Sequence, residues 1–179
     1  IYIFAHDNDV EELRKYSLDN EKGLMSFQNG IELAKVLKNE FLLKKAYRKN
    51  IMLASSNGLF HIADHYYYLS MELLRDSDPR NLADVYNGLG YNCCATEKYE
   101  EANWYYNKAI QLFYQAGAMD YVGETLYNMA MNCILAGYFD VANQYLLTAM
   151  WIIRILHMND LRVCNISKIY GLLALCSFH

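Results

Sequence analysis

Apolar residues recur along the middle of this chain at helical spacing, and the pattern is written twice. Tyr86, Leu89, Gly90 and Cys93 follow one another at i, i+3, i+4 and i+7. Tyr99, Ala102, Tyr106 and Ala109 then form a second stripe. Forty residues later Leu126, Met129, Ala130 and Cys133 repeat the first stripe, and Phe139, Ala142, Leu146 and Ala149 repeat the second. A one-sided stripe of period 3.6 marks an amphipathic helix. The breaks "ATEK" and "LAGY" separate the two stripes of each unit, so each unit is expected to be two antiparallel helices. Small residues at Gly90, Ala102 and Ala109, and again at Ala130, Ala142 and Ala149, allow the helices to cross closely. The match extends beyond composition, since Asn103 answers Asn143, Tyr105 answers Tyr145, and Asn92 answers Asn132. Recurrence of the asparagines at the period points to hydrogen bonding between stacked units.

The pattern extends outward with weaker matches. "GLFHIADHYYYLSMELL" places Phe60, Ala63, Tyr67 and Ser70 in the second-helix positions, after a first helix over Phe41–Ser56. There Asn50 falls where a large apolar residue belongs. "KGLMSFQNGIELAKVL" reads as an amphipathic helix of a decayed unit, and "IYGLLALCSF" restarts a first helix with Tyr170, Leu173, Ala174 and Ser177 in place. Asp78-Pro79 fits an N-cap followed by proline at the first helical position. Asn57-Gly58 and Ala136-Gly137 fit turns closed by a left-handed residue. The expected fold is all-α, an antiparallel helix-pair solenoid of about nine helices in one domain over residues 1–179. Its units run over about 1–38, 41–75, 79–116, 120–157 and 161–179, the last incomplete. Such pairs bury their apolar faces by stacking into a superhelix with a concave inner face. The chain opens without Met and stops in an apolar helical pattern, so it is expected to be a piece of a longer protein.

Large-x2-large-small-x2-medium followed by aromatic-x2-Ala-x3-large-x2-Ala resembles the tetratricopeptide repeat. The period of 40 exceeds that family's unit of about 34, which would place the extra residues in the second helix. Tyr86 and Leu126 stand where the family has tryptophan, and its closing proline is missing from both units. Extended units of this size resemble those of Gram-positive peptide-sensing regulators and bacterial signalling proteins. Leu161–Cys176, "LRVCNISKIYGLLALC", is similar to stretches of the N-terminal repeat regions of Firmicutes diguanylate cyclases carrying a GGDEF domain. That resemblance implies a sensory role here and an enzyme elsewhere in the chain.

Composition agrees with a helical protein: one proline, three threonines and six valines in 179 residues leave little to oppose helix formation. A net charge of −4 gives no reason to expect a nucleic-acid partner. No apolar run reaches the roughly 18 residues a membrane span needs, and "IYIFAHDNDVEE" is too short and acidic for a signal peptide. Five cysteines without a CxxC pattern point to reduced thiols and a cytoplasmic setting.

Candidate chemistry is sparse. His61 and His65 stand one helical turn apart, a spacing that can bind zinc, but both flank buried Ala63 on the exposed side, and two solvated histidines are the better reading. A metal-dependent enzyme using them is the least favoured alternative. Cys93 and Cys133 share the medium apolar position of the repeat and are read as packing residues, with Cys94 beside them. Asn165-Ile166-Ser167 is a glycosylation sequon only by letter. No nucleophile–base–orienter set and no phosphate loop appears; neither cofactor nor metal is expected, and any catalysis is expected outside this chain.

A binding groove is the stronger expectation. In the tetratricopeptide fold, first-helix side chains between the buried positions line the inner face. These are Lys45, Arg48, Lys49 and Met52, then Asp84, Asn87, Gly88 and Tyr91, then Glu124, Tyr127, Asn128 and Met131. Lys45, Arg48, Lys49, Asn87, Tyr91, Tyr127, Asn128 and Met131 are the candidate ligand-binding residues. Asparagine amides can clamp an extended peptide backbone through donor and acceptor, and tyrosine and methionine give adaptable apolar contact. Arg48 and Asn87 half match the family's carboxylate clamp. The expected partner is a peptide or protein segment. Ala102–His179 holds only eight charged residues in 78, and "YLLTAMWIIRIL" is apolar nearly all round, so this half is expected to be covered by further repeats or to self-associate. The leading expectation is a non-catalytic sensory or interaction module of a bacterial signalling protein. The alternative is a quorum-type peptide receptor controlling transcription or a phosphatase.

Overall fold

The computed structural model describes residues 29–74, 79–156 and 163–177. Among these it is all-helical, with eight helices and no strand. Helix α1 covers residues 29–36, α2 Glu40–Ser56, α3 Phe60–Leu74, α4 Pro79–Ala95, α5 Tyr99–Gln115, α6 Met119–Leu135, α7 Phe139–Leu156 and α8 Val163–Ser177. The chain forms two compact units, Ile1–Asp76 and Ser77–His179. The Asp78 cap and the helix expected before residue 29 lie outside the described residues.

One turn is used five times. Each helix through α6, except α3, ends in a three-residue connection whose middle residue is left-handed: Lys38, Gly58, Glu97, Gly117 and Gly137, with φ of 48, 73, 63, 67 and 84°. The N–H of the next residue donates back to the carbonyl five positions earlier, as in Leu59 to Ala54 (2.9 Å), Lys98 to Cys93 (2.9 Å), Ala118 to Phe113 (2.9 Å) and Tyr138 to Cys133 (2.8 Å). The left-handed residue's own N–H donates to the carbonyl three positions earlier, as in Gly137 to Ile134 (3.0 Å). Together these two bonds form the Schellman motif, which satisfies carbonyls that the helix end leaves open. Helices joined this tightly and packed on each other must run antiparallel. In the second unit, α4, α5 and α6 are 17 residues each and α7 is 18. With three-residue turns this fixes helix starts at 79, 99, 119 and 139. The 40-residue period is therefore two equal steps of twenty, and the extra residues do not sit in the second helix alone.

In the first unit, Ile31 of α1, Ala46, Tyr47 and Ile51 of α2, and Tyr66 of α3 form one apolar core, with Leu43, Ile62, Tyr67, Leu69 and Leu73 packed against it. Helix α2 starts at Glu40 because the Asn39 side chain caps it, accepting the Leu42 N–H at 3.1 Å.

In the second unit each helix packs on its neighbours in the chain, α4 through α8, and α4 also touches α6. This is the helix-pair solenoid expected from the stripes. Ala102, Ala109, Ala142 and Ala149 are fully buried, with Leu89, Tyr106, Phe113, Met129 and Leu146 filling the space they leave. A Cβ on Gly90 would lie 2.6 Å from Cε1 and 2.7 Å from Cδ1 of the buried Tyr106 ring, so close approach requires glycine there.

Helix α8 departs from expectation. Tyr170 is 48 % exposed, whereas Ile169 is fully buried, and Leu172, Leu173 and Cys176 are half-buried. The inward stripe thus runs one residue earlier than read from the sequence. Ile169 stands 40 after Met129 and Leu173 stands 40 after Cys133, whereas Tyr170, 40 after the buried Ala130, faces outward. Both stripes of α8 are apolar, so spacing alone could not choose between them, and the bulkier aliphatic set goes inward. Tyr170 instead accepts a hydrogen bond from Arg154 Nη2 through its hydroxyl at 2.9 Å.

Candidate functional site

Each first helix carries a polar face beside its buried stripe, and in the second unit two such faces meet. Asn87 on α4 and Asn128 on α6 are half-buried and hydrogen-bonded to each other, Asn128 Nδ2 to Asn87 Oδ1 at 3.2 Å. The bond is diagonal: Asn128 occupies the repeat position of Gly88, and Asn87 that of Tyr127. An amide has two donor protons and one acceptor oxygen. Whichever way the two amides are assigned, the pair retains one free N–H2 group and one free carbonyl among the described residues. Tyr91 is exposed at the end of this face, while Tyr127 and Met131 are half-buried. The structure therefore brings Asn87 and Asn128 into contact and sets Tyr127 and Met131 on the same helix as Asn128.

Lys45, Arg48 and Lys49 belong to the first unit. Lys45 and Arg48 are exposed, and Lys49 is half-buried. The Lys45 ammonium sits 4.9 Å from the centroid of the Phe41 ring, a cation–π contact at the start of α2.

A cavity of about 190 Å³ opens on α6, bounded by α7 and α8. Glu124, Tyr127 and Asn128 line it from α6, Ile153 from α7, and Lys168 and Ile169 from α8. Two of the expected groove residues, Tyr127 and Asn128, thus line a real concavity. Lys168 stands 40 residues after Asn128, in the incomplete last unit, to which the groove expectation was not extended.

The recurring asparagines have a structural task. Asn132 is fully buried on α6 and reaches the preceding helix α5, its Nδ2 donating to the Tyr99 carbonyl at 2.9 Å and to Asn103 Oδ1 at 3.0 Å. This is the hydrogen bonding between stacked units that the repeat predicted. Asn143 is exposed, and position 172, where its partner would stand, is leucine.

The remaining candidates are not drawn together. His61 and His65 are both exposed, with the His65 ring edge-on to Tyr66 at 5.5 Å. Among the described residues no three His, Cys, Asp or Glu side chains gather as a metal site would need. Cys93 and Cys133 are buried and Cys94 half-buried. Burial pushes the Cys94 and Cys133 thiols up, so little reactive thiolate is present at neutral pH. Cys164 and Asn165 fall outside the described side chains. Among the described residues no helix is long and apolar enough to cross a membrane.

No protein-family model matches the chain. No curated protein sequence matches it either. Among solved structures it is similar to the crystal structure of BtubC (BKLC) from P. vanneervenii, with a TM-score of 0.75 at 18 % identity. The alignment covers 89 % of this chain and 66 % of that one, so the chain spans just under two thirds of the protein it matches. At this identity the likeness is one of fold, an all-helical, repeat-like architecture.

Proposed function

We propose that this chain is a non-catalytic interaction module of the tetratricopeptide type, which holds an extended peptide or protein segment along the face of α4 and α6. The observation that carries the reading is the Asn87–Asn128 pair. Two amides on successive first helices, each half-buried, offer one donor and one acceptor side by side, which is what a peptide backbone presents in return. Tyr91, Tyr127 and Met131 supply apolar contact around it. Lys45, Arg48 and Lys49 are the corresponding residues of the first unit.

The finer assignment, a sensory region of a cytoplasmic bacterial signalling protein ahead of a GGDEF domain, rests on the resemblance of Leu161–Cys176 alone. Sequencing onward from this segment tests it. The expected self-association through the C-terminal half is supported by an exposed stripe on α7, Leu147, Trp151 and Ile155, with Trp151 63 % exposed. Light scattering at high micromolar concentration should give more than the monomer mass; a clean monomer contradicts it.

The groove is tested by panning a displayed library of short linear peptides. The native protein should enrich a family of sequences, and Asn87→Ala and Asn128→Ala should each lose that enrichment while keeping the helical circular-dichroism signal. Enrichment unchanged in both variants would place the binding surface elsewhere.

A further inference from the structure

We infer that the cavity between α6, α7 and α8 takes a small zwitterion, an α-amino acid with an apolar side chain. The inference does not rest on the peptide reading, although the two sites share Tyr127 and Asn128. The cavity carries one charge of each sign: the Glu124 carboxylate on α6 and the Lys168 ammonium on α8 both line it. Neither has an ion-pair or hydrogen-bond partner among the described residues. Ile153 and Ile169, both buried, supply the apolar part of the lining. The amide of Asn128 and the phenol of Tyr127 complete the lining.

Size narrows the occupant. At about 190 Å³ the space falls below the roughly 300–1,000 Å³ of sites for drug-sized ligands. It has room for a small molecule, on the scale of one amino acid. Charge narrows it further. A cation alone would answer Glu124 but meet a like charge at Lys168, and an anion alone would do the reverse. An α-amino acid brings an ammonium and a carboxylate on one carbon and can answer both, leaving its side chain for the two isoleucines. Because Glu124 and Lys168 are exposed, each charge contact strengthens binding only modestly.

The test is a heteronuclear NMR titration with L-leucine, N-acetyl-L-leucine and L-leucinamide. Leucine should shift the amide signals of Tyr127, Asn128, Ile153 and Ile169 saturably. Each blocked analogue should bind about two- to fivefold more weakly, the range expected for one exposed charge contact. Glu124→Gln should erase the preference over N-acetyl-leucine but keep the preference over leucinamide, and Lys168→Gln should do the converse. Both side chains are exposed, so both variants should keep the native spectrum away from the cavity. Absence of saturable shifts with leucine, or blocked analogues binding as well as leucine, overturns the inference. Tyr91 lies outside the cavity lining, exposed on α4, so Tyr91→Ala should leave the leucine titration unchanged while lowering peptide enrichment. Failure of either site is then seen separately.

Discussion

Helices α2 and α6 hold the same two kinds of side chain with their places exchanged. In α6 the inward position carries Met129, and three residues on stands Asn132. In α2 the corresponding residues are Asn50 and Leu53. All four are buried. Asn132 reaches across to α5, its Nδ2 donating to the Tyr99 carbonyl and to Asn103 Oδ1, while its own Oδ1 is buried without a partner. Asn50 turns back on its own helix, its Nδ2 donating to the Ala46 carbonyl at 2.9 Å, and its Oδ1 is buried without a partner. Each leaves a buried acceptor unanswered, but only Asn132 joins two helices. A buried polar group stabilises only as far as its partners allow, so the difference between the two lies in where each Nδ2 donates: across to α5 from Asn132, within its own helix from Asn50.

The clearest break of this comparison concerns bulk. Ile51 in α2, Gly90 in α4 and Ala130 in α6 share one repeat position, and at Gly90 the buried Tyr106 ring presses against the backbone. Gly90→Ala should destabilise the protein by about 1–3 kcal/mol, the cost of forcing a packed core apart, as read by urea denaturation. Ala130→Gly should cost less, about 1 kcal/mol. Equal losses at the two sites would mean that Tyr106 can move aside.

Exchanging the asparagines sharpens the comparison. Asn132→Leu also removes an orphaned acceptor, but it strips the Tyr99 carbonyl and Asn103 Oδ1 of their cross-helix donor and should on balance cost about 1 kcal/mol. Asn50→Leu removes an orphaned acceptor and should raise stability by about 1 kcal/mol. The opposite signs are the prediction, and a loss of similar size in both variants would contradict it.

Turns give a smaller effect. Glu97 holds the left-handed position that glycine fills at three of the five turns. Glu97→Gly should raise the thermal midpoint by removing about 1 kcal/mol of backbone strain, while Gly137→Glu should lower it by a similar amount.

The least effect is expected from pH. Burial pushes the Tyr47 phenol of the first unit and the Tyr145 phenol of the second above the ordinary tyrosine range. The folded chain then keeps protons that the unfolded chain releases above about pH 10. The associated stability is fully present below that pH and is lost as pH rises through the higher folded values. Denaturation midpoints measured from pH 9 to 11 should stay level and then fall, and a rise across that window would reverse the sign.

Much of this fold was legible because alternating large and small residues repeat where helices cross. Gly58 and Gly137 announced their turns, since a left-handed residue favours glycine. Lys38 and Glu97 take the same conformation with no chemical signature, and only their twenty-residue spacing from the next turn could have revealed them. Asn50 read as a misfit because its burial is imposed by neighbours far along the chain. The site was half visible. Asn87, Tyr127 and Asn128 could be named from their register, but the diagonal bond between two asparagines joins positions that the repeat does not equate. Lys168 stands 40 residues after Asn128, but in an incomplete unit whose partner helix the sequence did not offer, so the groove was not followed there.

The account stands on helix pairs stacked in register, joined by amides at defined places. Isotope-edited NMR on the Asn132 and Asn128 side-chain amides tests this directly. Their NH2 protons should show nuclear Overhauser contacts to Tyr99 and Asn103 for the first, and to Asn87 for the second. Amide signals that exchange freely with water and show contacts only within their own helix would contradict the stacking and the groove built on it.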